Sequence, residues 1–468
     1  MRITRIVIPN FQQFSDFDLS LSDPITGKPL DRVCFIGRNG TGKSTLLRVI
    51  YDLLGRVANR PPQYAAVATT GGGFGGGGIN PVSVIQTASR YQQDEVLAAA
   101  KLVTDDRSFW LCSTHGGRFN IYDERFELAD WKHLTIGQYA LSDSERAEFG
   151  ENLRWDANKG DLVIFVPPDS AGTFPRGQLL PSTSLNEALR LFKEFPVFHE
   201  VSLDQVSKFW NVLIYQIKKR EEDWQKYLQE PANRQKSVGE AAEEFDKTHS
   251  EILITLADLW NKILAVAGLE FDYKSAKKPV QLNENLEAFV RVISSRTPVN
   301  YNALSTGIRN FIFRVGHIYS LYFGRQINRG VLLLDEPENS LHPDFLYDLM
   351  DVYQSIIQNT QFFTATHSPI IAAQFQPEER VILEFDDDAH VVAHPGVTPI
   401  GDDPNDLLSK DFEVRSLYGK EGIENWERFL ELRREIPTVL DSDQKRQLIQ
   451  EYMRIGNAYN FSPDAISQ

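Results

Sequence analysis

Eight consecutive residues, Gly37-Arg38-Asn39-Gly40-Thr41-Gly42-Lys43-Ser44, carry the chemistry of anion capture. Glycines at that spacing let backbone N–H groups converge at the start of a helix, where a dense anion such as a polyphosphate is held. Lys43 supplies an ammonium for the β and γ phosphates, and the Ser44 hydroxyl suits one position around a magnesium ion. With Thr45 next in line, these residues are the candidates for binding a nucleotide, and ATP with Mg2+ is the pair their chemistry points to.

Two further strings end apolar runs. In Val331-Leu332-Leu333-Leu334-Asp335-Glu336-Pro337, Asp335 closes a buried strand, where a carboxylate is costly without a cation or donors beside it. It is read as a magnesium ligand acting through water, because that ion keeps its hydration. Glu336, facing the other way in an extended chain, could reach a water in line with the γ phosphate and is the candidate general base. In Thr364-Ala365-Thr366-His367-Ser368-Pro369, His367 follows a second strand, placed to hydrogen-bond the γ phosphate or orient the attacking water.

Leu304-Ser305-Thr306-Gly307 opens a helix striped by Ile308, Phe311, Val315, Ile318 and Tyr322. Ser305 and the free N–H groups there make a second anion site; a simple helix cap is the plainer alternative. One chain cannot easily wrap a single ATP with two separate helix N-termini. The simplest solution is two subunits with ATP between them, each phosphate touched by one chain's glycine loop and by Ser305 and Gly307 of the other.

Positioning these groups takes strands that feed loops. Arg2 to Ile8, Phe17 to Leu21 and Arg32 to Ile36 alternate like short strands, and Leu46, Leu47, Ile50 and Leu54 predict a helix packing one face on a sheet. Residues 107–127 read as a hairpin, Asp161 to Val166 as a buried strand stopped by Pro167 and Pro168, and Val331–Leu334 and Gln361–Thr366 as neighbouring central strands. Between those two, Pro343 starts a helix with Leu346, Leu349, Tyr353, Ile356 and Ile357 buried. From Leu203 to Val266 apolar residues recur by threes, fours and sevens on both sides of Glu230-Pro-Ala-Asn233, which predicts an antiparallel helical hairpin with arms of about 27 residues, roughly 40 Å long. The tail beyond about Pro404 is charged and helical, with Trp426, Phe429, Leu430 and Ile436 on one face. The glycine-rich run 71–78 fits a connector better than a nucleotide lid.

Composition narrows the class. A chain of 468 residues, 42% hydrophobic, is large enough for two or three globular domains. No stretch approaches the roughly 18 uninterrupted apolar residues of a membrane span, so a soluble, cytoplasmic protein without a membrane partner is expected. The net charge of -15 argues against a surface built to coat nucleic acid, though one basic patch stays possible; Lys218-Lys219-Arg220 is answered at once by Glu221-Glu222-Asp223. Cys34 and Cys112 sit singly in apolar runs and read as core.

The order of the four strings resembles that of the ABC-type ATPases, and the opening Ile6-Val-Ile-Pro-Asn10-Phe11 is similar to the first strand of their SMC, RecF and OLD branch. The resemblance spans about residues 1–180 and 297–400. It implies an α/β ABC-type P-loop head with a mixed sheet, an inserted helical hairpin and a helical C-terminal extension, dimerising on ATP and separating after hydrolysis. It implies Lys43 and Ser44 as Walker A, Asp335 as Walker B, Glu336 as catalytic carboxylate, Ser305 and Gly307 as signature, Ser340 to His342 as the D-loop region and His367 as the switch histidine. The domain boundaries expected are 1–180 for the Walker A lobe, 181–296 for the hairpin, 297–403 for the second lobe and 404–468 for a tail that could bind a partner. Gln86, Gln92 and Gln93 compete for the Q-loop position.

Departures from the family pattern narrow the branch. Arg309 follows Ile308 and the transporter's Gly-Gly-Gln is absent; the arm is short and lacks a Cys-x-x-Cys hook; and Asp386-Asp-Asp388 reads as an acidic turn, with too little chain after it for a Toprim nuclease. A compact head, short arm and helical tail look most like the ATPase subunits of bacterial antiphage systems such as Septu and PARIS. That likeness implies a dimer or higher homo-oligomer controlling a separate effector, such as a nuclease, with no nuclease activity of its own. A RecF-like DNA-repair clamp is the rival expectation, which leaves DNA as a possible partner, and a transport-coupled ATPase is the weakest.

Overall fold

The computed structural model describes residues 1–57, 95–104, 107–126, 140–142, 144–145, 162–168, 198–201, 219–248, 252–272, 290–299, 303–325, 329–356, 359–401, 404–412, 414, 419–459 and 461. The glycine-rich run, the three competing glutamines and residues 203–218 and 249–251 of the expected arm lie outside them. The chain divides into two compact units, Met1–Gly401 and Asp402–Gln468.

Two sheets and a helix between them build the first unit. Strands β1 (Arg2–Phe11), β2 (Phe14–Ser20), β4 (Val96–Val103), β5 (Ser108–Thr114) and β6 (Phe119–Asp123) form an antiparallel sheet in the order β2-β1-β4-β5-β6. The second sheet runs β15-β14-β3-β13-β12-β7-β8, from β3 (Arg32–Gly37), β7 (Leu162–Val166), β8 (Phe198–Glu200), β12 (Gly330–Asp335), β13 (Thr360–Ala365), β14 (Arg380–Phe385) and β15 (Val391–Pro395). Its pairings are parallel except that of β14 with β15, so the sheet is mixed and the class is α/β.

The helix Lys43–Val57 differs from the one-faced helix that its spacing predicts. It lies between both sheets, and Leu46, Leu47, Val49, Ile50, Tyr51, Leu53 and Leu54 all join one core with Ile6, Phe35, Leu97, Leu333 and Phe363. The second face is covered because the antiparallel sheet folds over it. At about 25 cal/mol per Å2 of apolar area removed from water, such a core is the main force holding the helix, and hence the loop before it, in place.

The helix Thr306–Arg325 buries the whole expected stripe, Ile308, Phe311, Val315, Ile318 and Tyr322. The helix expected from Pro343 is two pieces, Pro343–Leu346 and Leu349–Ile356, separated by a turn at Tyr347 and Asp348; Ile357 lies outside the described residues. Of the arm, residues 219–229 and Val238–Thr248 are helical around the turn 230–237, where buried Asn233 donates to the Tyr227 carbonyl. After the next helix, Ile252–Leu264, and a 3-10 turn at Ala265–Ala267, the next described elements are strands: β9 (Leu269–Phe271), β10 (Val290–Val292) and β11 (Pro298–Val299) make a small antiparallel sheet, pinned by Arg291 to Glu270 and Asp272.

The second unit holds Pro404–Lys410, Lys420–Glu435 and Ser442–Tyr459. Phe429, Leu432, Ile455 and Phe461 are its core, with Phe429 stacked on Tyr452; Leu432 takes the place expected of Leu430. Among the described residues no helix is long and apolar enough to cross a membrane. Cys34 and Cys112 are both buried and free.

A candidate nucleotide site at the strand ends

Ligands of open parallel sheets gather beyond the carboxyl ends of the strands. Here β3, β13, β12 and β7 are successive neighbours, with Ala365 in register with Phe35 on one side and Asp335 on the other. That register places the glycine loop after β3, Asp335 and Glu336 at the end of β12, and His367 after β13 at one rim.

The loop is fixed by its own hydrogen bonds. The Thr41 hydroxyl donates to the Arg38 carbonyl at 2.9 Å, and the Gln13 amide, from the turn between β1 and β2, donates to the Gly40 carbonyl at 3.1 Å. Gly42 has a φ of +89°, and a Cβ there would come within 2.5 Å of Phe14 Cζ, so no other residue fits. The buried Lys43 ammonium donates to the carbonyls of Gly37 at 2.8 Å and Arg38 at 3.1 Å. Burial lowers its pKa to about 8, against the opposing pull of Glu336, Asp335 and Glu338. Arg38, Asn39 and Gly40 are exposed on the loop, while Ser44 and Thr45 begin the helix.

Asp335 is 3% exposed and accepts a hydrogen bond from the Ser44 hydroxyl at 3.0 Å. Burial pushes its carboxyl up to about 6, partly offset by that hydrogen bond. A hydroxyl and a carboxylate side by side, the latter in need of a cation, are the hard oxygen donors that Mg2+ takes, one or two from protein and the rest from water and phosphate. The residues present therefore fit that ion. Among the described residues no group of three or more His, Cys, Asp or Glu side chains could hold a metal by itself.

Glu336 is not extended as its sequence position predicts: its φ is +46°. Its N–H still donates to the Ala365 carbonyl at 2.9 Å, continuing the pairing of β12, and the chain then turns, with Asn339 N–H returning to the Glu336 carbonyl at 3.1 Å. Ser340 is also left-handed, at +64°. Two such residues close together in the strand-end turn mark a conformation costing about 1–3 kcal/mol each, held by its surroundings. Part of the hold is Arg314, 1% exposed in mid-helix, which donates to the carbonyls of Pro167, Pro168 and Glu336.

His367 is exposed, as Ser44 is. Partial desolvation and the nearby Lys43 charge lower its pKa, against Glu336, which raises it. Its backbone is tied down: Glu338 Oε1 accepts from the His367 N–H at 2.8 Å and from the Thr366 hydroxyl at 2.6 Å. Glu338 was not among the residues singled out from the sequence. A third carboxylate closely following a buried strand was the available signal.

Ser305 and Gly307 lie elsewhere. Exposed Ser305 accepts from the Ile308 N–H at 3.4 Å, a helix cap, and its hydrogen bonds stay within its own helix. Gly307 packs so closely on the strand-end turn that a Cβ would stand 2.0 Å from the Ser340 carbonyl oxygen. Within one chain the structure thus brings together Lys43, Ser44, Asp335, Glu336 and His367, and Gly307 packs on the strand-end turn at Ser340.

The chain belongs to the AAA ATPase domain family, whose model matches residues 1–100 and 178–372. Among solved structures it is similar to an Smc head bound to the C-winged helix domain of ScpA, with a TM-score of 0.42 and 10% identity over 84% of this chain and 98% of that one. An Smc head with an extended coiled coil bound to the C-terminal domain of ScpA, from Pyrococcus furiosus, gives 0.41 and 10% over 84% and 96%. The SMC head domain from Thermotoga maritima gives 0.40 and 10% over 85% and 100%.

Proposed function

We propose that this chain binds and hydrolyses ATP as a member of the SMC, RecF and OLD branch of ABC-type ATPases, works as an ATP-joined homodimer or larger homo-oligomer, and controls a separate effector such as a nuclease in bacterial antiphage defence. The observation that carries the hydrolytic part is the convergence at one sheet rim of a buried ammonium, a hydroxyl and carboxylate pair 3.0 Å apart, and a carboxylate and imidazole beside them. The defence role rests on the expected architecture, a compact head, short arm and helical tail, which resembles that of Septu and PARIS subunits.

In this reading Lys43 and the loop N–H groups hold the phosphates, and Ser44 and Asp335 hold Mg2+, which when bound draws charge from the leaving phosphate oxygens. Glu336 accepts the proton of a water whose oxygen attacks the γ phosphorus, as the bond to the β-phosphate oxygen breaks. His367, with its pKa lowered, offers a neutral imidazole to orient that water or the γ phosphate. Ser305 and the N–H groups beside Gly307 come from the second copy in this reading, which the exposure of Ser305 at a helix start supports.

The expected behaviour is that Glu336→Gln binds ATP and accumulates as a closed pair with little turnover, measured by phosphate release and size-exclusion chromatography. Ser305→Arg and Lys43→Ala, each inactive alone, should on mixing recover about a quarter of the parental rate, because random pairing leaves half the pairs with one intact shared site. Full hydrolysis by a strict monomer, or no recovery on mixing, refutes the shared site. Copurification from the native operon tests the effector: a bound nuclease or toxic protein is expected, whereas hydrolysis stimulated by duplex DNA without such a partner would favour the repair clamp.

A further inference from the structure

The carboxylate of Glu338 joins the turn after β12 to the segment after β13. Its Oε1 accepts two hydrogen bonds, from the Thr366 hydroxyl and the His367 N–H. Thr366 is fully buried, and its hydroxyl oxygen in turn accepts from the Ser368 N–H at 2.9 Å. The Ser368 hydroxyl then accepts from the Ile371 N–H, starting the short helix Pro369–Ala372. The backbone on both sides of His367 is therefore referred, through one oxygen, to the turn that also carries Glu336. The other oxygen, Oε2, is buried and has no hydrogen-bond partner among the described residues.

We infer that Glu338 is a positioning residue that sets the distance between His367 and Glu336, and that it does so as a hydrogen-bond acceptor rather than through its charge. The inference rests on the hydrolytic reading above. A capping carboxylate that served only stability would have no reason to span two catalytic strand ends. A strand-end movement of about 1 Å is enough to slow a chemical step a hundredfold. The unpartnered Oε2 gives the acceptor reading its handle: an amide keeps the oxygen that accepts both bonds and changes only the atom that makes none.

The test is a set of single-turnover and steady-state ATPase measurements on the full chain, with ATP affinity measured separately. Glu338→Ala should lower kcat by about tenfold to a hundredfold, the usual cost of losing an outer-shell partner, with ATP affinity within about twofold of the parent. Glu338→Gln should restore kcat to within a few-fold. Glu338→Ala combined with His367→Ala should be no slower than His367→Ala alone, since both remove the same placed imidazole. If Glu338→Ala does not fold, Thr366→Val carries the same cycle, removing one of the two links with the β-branched shape kept. Parental kcat in Glu338→Ala, a Gln variant as slow as the Ala one, or losses that multiply with His367→Ala each overturn the proposal. Glu336→Gln run in parallel separates the two levels. If that variant is inactive while the Glu338 variants are silent, only this inference fails; if it turns over at the parental rate, the hydrolytic site itself is wrong.

Discussion

Replacing Asp335 by Asn should make the protein more stable and inactive at once. The carboxyl is 3% exposed and held at about 6, against an ordinary value of 3.8, with burial the largest cause. A carboxyl whose folded pKa is raised binds its proton more tightly when folded, so its ionisation costs stability as pH climbs from about 4 to about 6, and the full cost is present above that window. At roughly 1.4 kcal/mol for each pH unit separating the folded and unfolded values, ionised Asp335 costs the protein about 3 kcal/mol at about pH 8, and about half as much near pH 5. The amide removes that cost and keeps an oxygen for the Ser44 hydroxyl, which donates to Oδ1 at 3.0 Å. Lys43 loses a stabilising neighbour in the exchange, so the net gain expected is about 2 kcal/mol.

For a unit of 401 residues the unfolding entropy is large, and 1 kcal/mol moves the midpoint by only about 1 °C. Differential scanning calorimetry without nucleotide and with chelator should therefore show Asp335→Asn melting about 2 °C above the parent at about pH 8, with the difference roughly halved near pH 5. ATP with Mg2+ should raise the parent's midpoint and leave the variant's almost unmoved. A variant less stable than the parent at the higher pH would refute the reasoning, because the buried charge would then be supported by the fold and not strained by it. So would a gain that does not change with pH.

Lys43 makes a second titration visible: with its pKa lowered to about 8, ATP affinity should fall up to tenfold per pH unit above about pH 8, as a proton must be taken up on binding, and Lys43→Ala should bind weakly with a flat profile. Isothermal titration calorimetry across that range checks both slopes. Gly307→Ala should lower the melting temperature although alanine favours a helix by about 1 kcal/mol, because its Cβ would meet the Ser340 carbonyl at 2.0 Å and a backbone atom cannot swing aside. Thermal melts should also show the loss shared by nucleotide-dependent pairing, since the turn that moves is the one carrying Glu336.

Much of this site was legible from the sequence because strand ends declare themselves. Four apolar residues followed by Asp335, and glycines between an apolar strand and a helix, have few other physical uses. What escaped was set by tertiary geometry. One-dimensional periodicity counts faces on a helix and not the layers around it, so the helix after the glycine loop read as one-faced although two sheets enclose it. Local pairing gave no hint that Glu336 would turn left-handed, because the preceding strand and following proline both favour extension. The part Glu338 plays shows only with β13 beside β12, and that of Arg314 only where three carbonyls converge on it, neither of which local sequence carries.

The charge arrangement bears on why a second copy should be needed at all. Lys43 feels three carboxylates, Asp335, Glu336 and Glu338, each raising its pKa, and Asp335 feels Glu336 and Glu338 as like charges with Arg48 as an opposing cation. A triphosphate entering such a cluster adds further negative charge at the same rim. In the proposed reading one ammonium, a loop of N–H groups and a magnesium ion would offset part of it. A helix N-terminus worth about half a positive charge, brought up to the γ phosphate by a second copy as proposed above, would offset more of it. Ser305, exposed at the start of the helix Thr306–Arg325, has that character. Because Gly307 rests on Ser340, a second copy docking there as proposed would press on the same turn that carries Glu336, coupling docking to the placing of that carboxylate.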